Sequence, residues 1–242
     1  MLAATRFLRR PRSLWPAAVL LALLAGCTYR GAIDQPVTLK ATWFSYLNGD
    51  DIRAACVAGA PSWYRLVYNA DYDQQLRSYE VVADGAGGAY YAARVQMGGG
   101  IDLTRLSLRD PQSPARWTTA RVRLSGADLA ELEAALARSG AFAAAPQGLR
   151  LASEEFYWIF SGCREGRFYF NAWRYPSQRF AGLLFPDVLL RHDRTGIAVN
   201  PPRRVAPIDR TRSRGAGPEE DATPRFDLEI GEAGLKGVHP LF

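Results

Sequence analysis

The chain has 242 residues, 48% of them apolar and 22% charged, with 30 Lys+Arg against 24 Asp+Glu. That balance excludes a charge-dominated disordered chain and is long enough to bury a sizeable core in one domain. The only two histidines, His192 and His239, are far apart, which excludes a His-x-x-x-His metal motif.

The first residues carry Arg6, Arg9, Arg10 and Arg12 with no acidic residue, and an apolar run from Leu14 to Ala25 follows. This is a charged n-region before an h-region. The run is about a dozen residues, short of the roughly 20 that a helix needs to cross a bilayer core. Leu24-Ala25-Gly26-Cys27 closes it. Small residues at Ala25 and Gly26 suit the extended backbone a peptidase cleft requires, and the Cys27 thiol can form a thioether with a lipid donor.

These four residues resemble the lipobox of bacterial lipoproteins at every position. The resemblance implies cleavage after residue 26, a diacylated Cys27, acylation of the new amino end, and attachment to a membrane through that lipid. At about 0.8 kcal/mol per buried methylene, two or three chains hold effectively permanently. Thr28 after the cysteine, rather than Asp, implies the outer membrane facing the periplasm in a two-membrane cell. Arg9-Arg10 lacks the apolar residue that the twin-arginine export signal wants shortly after the pair, because Pro11 and Arg12 follow.

Without the four leader arginines, 26 basic residues face 24 acidic ones. A mature charge near +2 gives no basic footprint for nucleic acid, so no nucleic-acid partner is expected. Cys56 and Cys163 remain in an oxidising compartment and are expected to form a disulfide; two separate buried thiols are the alternative.

Residues 27–35 read as a tether and residues 36–200 as a single domain. Pro36 suits the first turn of a helix to about Asn48, and a second short helix begins at Asp50 or Asp51 and runs to about Cys56. From Trp63 to Tyr68 and from Leu76 to Asp84, aromatic and β-branched residues predict strands. Gly85-Ala86-Gly87-Gly88 turns the chain into a strand from Ala89 to Met97, and Gly98, Gly99 and Gly100 break it. Ile101 to Leu108 and Trp117 to Leu124 continue what reads as an antiparallel meander. Ser125 to Gly140 is the clearest helix, with Ser125 and Asp128 as a capping box, Leu129, Leu132 and Leu136 on one face, and Gly140 closing it.

A second hairpin joins Glu155–Cys163 to Arg167–Tyr175 through Arg164-Glu165-Gly166. With a three-residue loop, Cys163 faces Arg167. Phe156, Trp158, Phe160, Phe168 and Phe170 then share one face, and Tyr157, Ile159, Ser161, Tyr169, Asn171, Trp173 and Tyr175 share the other. Pro201 to Pro224, rich in Pro, Gly, Arg and acidic residues, reads as a flexible linker. Residues 225–242 form a tail with one short strand at Arg225 to Ile230. The fold class is therefore α+β: an antiparallel sheet built from hairpins, with one well-capped helix packed on a face.

No Gly-x-Ser-x-Gly, Ser-x-x-Lys, HExxH or phosphate-cradling loop is present, and no motif implies a cofactor or metal. His192 and His239 read as solvated surface residues. Asp50/Asp51 and Glu154/Glu155 are adjacent pairs that project in different directions, whereas paired-carboxylate hydrolysis needs carboxyls about 5–9.5 Å apart across a cleft. Cys56 and Cys163 have no histidine nearby to stabilise a thiolate. The candidate binding surface is the aromatic hairpin face of Tyr157, Tyr169, Asn171, Trp173 and Tyr175, which suits a glycan or a protein; the alternative is that the Ser125 helix covers it. Tyr68-Asn69-Ala70-Asp71-Tyr72, with Arg77 and Glu80 after it, could rim the same surface. The expected function is a non-catalytic envelope lipoprotein that acts through contacts with another envelope protein or a glycan. The alternative is a lipid-anchored periplasmic hydrolase whose carboxylates are assembled only in the fold.

Overall fold

The computed structural model describes residues 36–98, 117–205 and 225–241. Residues 1–35, which include the leader, Cys27 and the tether, lie outside them, as do the strand expected at Ile101–Leu108 and residues 206–224 of the linker.

A six-stranded antiparallel sheet forms the centre. Its strands are β1 (Trp63–Ala70), β2 (Gln75–Ala83), β3 (Ala89–Met97), β4 (Thr118–Leu124), β6 (Phe156–Arg164) and β7 (Arg167–Arg174), in spatial order β4-β3-β2-β1-β6-β7. The first four are antiparallel neighbours in chain order and match four of the five strands expected in the meander. Strand β4 pairs directly with β3, where a strand at Ile101–Leu108 was expected to come between them, and β6 joins by pairing with β1 from Trp63↔Cys163 to Ala70↔Phe156. The α+β class holds, with most of the ordered structure in sheet.

Both faces of this sheet are covered, which explains why β1 and β6 read as nearly continuous apolar runs. On one face lies α3 (Gly126–Arg138), whose Ser125 hydroxyl accepts from the Asp128 amide while the Asp128 carboxylate accepts from the Ser125 amide. Its Leu132, Ala135 and Leu136 pack on Tyr64, Leu66 and Phe160. Beside it runs α5 (Phe185–His192), preceded by the single turn α4 (Gln178–Ala181). Phe185, Val188 and Leu189 share that core, and Arg191 of α5 forms a two-pronged ion pair with Glu131 of α3 at 2.8 and 3.0 Å.

The opposite face is covered by α1 (Pro36–Asn48) and by a second sheet of β5 (Arg150–Ala152), β8 (Arg225–Ile230) and β9 (Leu235–Leu241), in order β5-β8-β9. Trp43, Tyr46 and Leu47 of α1 and Phe226, Leu228 and Ile230 of β8 bury together against Val67, Tyr157 and Ile159. The C-terminal segment is thus a core strand and not a loose tail. Its strict alternation, with Phe226, Leu228 and Ile230 inward, is the period that exposes only one face.

A short helix α2 (Asp50–Ala55) follows α1 through Gly49, which has φ 68°. A side chain at Gly49 would collide with the side chain of Ser161, so glycine is required there twice over. The disulfide Cys56–Cys163, with Cα atoms 5.5 Å apart, ties the end of α2 to the end of β6.

Candidate functional site

The aromatic hairpin does not present the surface expected of it. Its turn has two residues and not three: Glu165 at φ 54° and Gly166 at φ 70° form the connection, and Arg164 pairs with Arg167. Two successive positive φ values match the right-handed twist of the flanking strands, so Arg164 stays in the ladder. That shifts the register by one, and a one-residue slip moves a whole strand's side chains to the other face. Cys163 faces Phe168, and Trp158 faces Trp173.

As a result, Tyr157 lies on the α1 side with Phe168 and Phe170, while Tyr169, Asn171, Trp173 and Tyr175 lie on the α3 side with Phe156, Trp158 and Phe160. Tyr157 and Trp173 are each 1% exposed and Asn171 is fully buried, so these three cannot contact a ligand without unfolding. Tyr169 and Tyr175 are half-buried, packed edge-on against Phe142 and Phe180. Asn171 donates to Gly140 O at 2.8 Å and accepts from Arg179 at 2.9 Å, pinning the exit of α3 to β7. Of the expected binding strip, Tyr157, Asn171 and Trp173 are core, and Tyr169 and Tyr175 are half-buried at its margin.

The charged residues that strand periodicity hid make two buried networks. On the α1 side, Arg65, 1% exposed, holds Asp51 through both nitrogens at 2.8 and 2.6 Å and Glu80 at 2.7 Å, with its guanidinium 3.9 Å from the Tyr46 ring. Arg94 reaches the other Glu80 oxygen at 2.7 Å. Burial pushes the Glu80 carboxyl upward, but Arg65 and Arg94 outweigh that and hold it below the usual carboxylate range. On the α3 side, Arg77, also 1% exposed, pairs with Asp193 at 2.6 Å and donates through Nε to Gln75 Oε1 at 2.8 Å. Tyr79 donates to the same Asp193 oxygen at 3.1 Å.

Of the polar turn expected to rim a surface, Tyr68, Asn69 and Ala70 are buried in β1, and Asp71 makes the bend at φ 63°. His192 is half-buried at the end of α5, with Nε2 3.7 Å from Asp128 and its ring edge-on to Tyr91; it is not the freely solvated side chain expected. His239 lies on β9, in register with Asp227. The adjacent carboxylates serve separate partners. Asp50 accepts from Ser45 and Asn48, Asp51 binds Arg65, Glu154 accepts from Ser153, and Glu155 accepts from the Ala152 amide. Gly49, not either aspartate, precedes α2.

Two surface depressions lie among the described residues. One, about 570 Å³, lies between Asn48 and Arg53 and the β8–β9 turn, where Arg53 donates to Ala233 O and stacks 4.0 Å over Phe168. The other, about 330 Å³, lies over the β3–β4 edge, floored by Val82 and Ala92 and flanked by Tyr90, Arg121 and Arg123. Neither holds a nucleophile beside a base. Among the described residues no group of three His, Cys, Asp or Glu side chains could hold a metal ion, and no helix among them is long and apolar enough to cross a membrane. Comparison with family models, with curated proteins and with solved structures finds no match to this chain.

Proposed function

We propose that the chain is an exported lipoprotein, anchored to a membrane through lipid on Cys27, whose α+β domain acts by contact with another envelope component and not by catalysis. The outer membrane, facing the periplasm, is its place in a two-membrane cell. The observation that supports export is the Cys56–Cys163 disulfide, because such bonds persist in oxidising compartments. It agrees with the leader and lipobox at residues 1–27. The non-catalytic reading is supported by the commitment of the buried carboxylates Glu80 and Asp193 to arginine partners. Glu80, held below the usual carboxylate range by its two arginines, is an acceptor-only carboxylate unsuited to donating a proton near neutral pH.

Growth with radiolabelled palmitate tests the anchor. Label is expected in the wild-type protein and absent from Cys27→Ser, with the variant released from the membrane fraction. Equal labelling of both forms would overturn the assignment.

A further inference from the structure

After α5, residues 193–205 cross the helix-covered face at the Ala70/Gln75 end of the sheet without regular secondary structure. This strap is held by side chains of the sheet reading its main chain. Arg77 donates to Ile197 O, Gln75 donates to Ala198 O at 2.9 Å and accepts from the Asn200 amide at 3.0 Å, and Tyr68 donates to Asn200 O at 3.0 Å. One strap carboxylate, Asp193, fills the charge of Arg77. One apolar strap side chain, Val199, packs on the core, while Gly196 and Ala198 face outward. Beneath lies a floor of stacked rings, Tyr68 on Trp158 at 4.7 Å and Tyr79 on Trp158 at 5.9 Å, each ring 4% exposed or less.

That is how a groove receives an extended peptide: main-chain contacts supply affinity irrespective of sequence, and a charge site and an apolar site set the pattern. The amide of Gln75 engages a carbonyl and an N–H of the strap two residues apart, and is itself oriented within the sheet by Arg77 Nε and Met97 Sδ. We propose that this groove is a receptor for an extended segment of a partner protein, with an acidic residue six positions before an apolar one, and that residues 193–205 occupy it as a built-in competitor. The strap is suited to yield. Its apolar side chains Ile197 and Val199 are only half-buried and it has no strand ladder among the described residues, so it belongs to the low-stability end of the molecule. Being covalently attached, it competes at an effective concentration on the order of millimolar, which keeps weak peptides out until it is displaced. The assignment does not depend on the lipid anchor and can fail or stand separately from it.

Two measurements on the full chain test it. In native-state hydrogen exchange the amide of Asn200 is expected to exchange about a hundredfold faster than those of β1 and β6, and equal rates would overturn the proposal. In the second, a fluorescent peptide with the sequence of residues 193–205 is titrated by anisotropy against the wild type and Val199→Asp. Binding to the variant is expected to be at least about tenfold tighter, because its own strap is weakened, and to be lost when Gln75→Ala is added. Affinity unchanged by Val199→Asp, or unaffected by Gln75→Ala, would overturn it. If Val199→Asp loses the far-ultraviolet dichroism of the fold, Asn200→Ala, which removes a 2.9 Å bond to Ala70 O, takes its place under the same criteria; if that also fails to fold, the exchange result decides.

Discussion

Removing the disulfide by a Cys56→Ala/Cys163→Ala double substitution should destabilise the domain by about 3–5 kcal/mol. The bond spans 107 residues and encloses β1 to β4, α3 and most of β6. For a closed loop of that length, lost chain entropy in the unfolded state is worth about 4.7 kcal/mol, an upper figure because residual structure in the denatured chain reduces it. Alanine is the better replacement, since Cys163 is 2% exposed and a serine hydroxyl there would be buried. Urea unfolding at neutral pH measures the effect, and reduction of the wild type should reproduce it. The m-value should also rise, because the uncrosslinked denatured chain exposes more surface. At about 2–4 °C per kcal/mol for a domain of this size, the melting temperature should fall by about 6–20 °C. A double variant within about 1 kcal/mol of wild type, with an unchanged m-value, would refute the reasoning that the bond acts by restricting the unfolded chain.

Four further outcomes follow from the packing. Trp173→Ala should cost about 3–5 kcal/mol in the same assay, as for other fully buried aromatic residues, whereas a surface ligand contact would leave stability unchanged. Gly166→Ala should cost about 1–3 kcal/mol, since φ is 70° and the new Cβ would stand 2.9 Å from Val57 O. Glu80 binds its proton less tightly in the fold than in the unfolded chain, so the stability it contributes is present above the unfolded value near pH 4.3 and lost as pH falls through the lower folded value. Urea midpoints between pH 7 and pH 3 should show that decline, with a flatter profile in Arg65→Met. The opposite sign holds at alkaline pH. Burial pushes Tyr72 up to about 12 and raises Tyr46, Tyr64, Tyr68, Tyr79, Tyr91 and Tyr157, so their contribution is full below pH 10 and lost above it. In a titration followed at 295 nm these seven rings should ionise only as the fold opens; ionisation in the native state near pH 10 would contradict their burial.

Much of the fold was legible because its signals are local. Strands β1 to β4 announced themselves by aromatic and β-branched runs, and α3 by its capping box and leucine face. The hairpin erred by one residue, and that error alone moved Tyr157 away from Tyr169, Asn171 and Trp173. Glu165-Gly166 carries the missed signal, being close in kind to the Asp-Gly pairs of two-residue turns. Helix α5 was not among the expected elements, although Pro186 in its first turn and Phe185, Val188 and Leu189 at helical spacing carry its signal. The partners of Arg65 and Arg77 were not legible, because Asp51 and Asp193 arrive from other elements, 14 and 116 residues away, by packing that no local pattern displays. Nor could β5 be found, as three residues carry no period. Burial on both faces of the sheet, which converts an aromatic strip into core, is a tertiary property that no window of residues displays.

The central claim, a lipid-anchored exported protein, is tested most directly by the mass of the N-terminal peptide of the protein purified from membranes. An N-terminal peptide beginning at Cys27 and heavier than its sequence by a diacylglyceryl group, with or without a further acyl chain, is the expected result. A peptide that retains residues 1–26, or one that carries an unmodified cysteine, would contradict it.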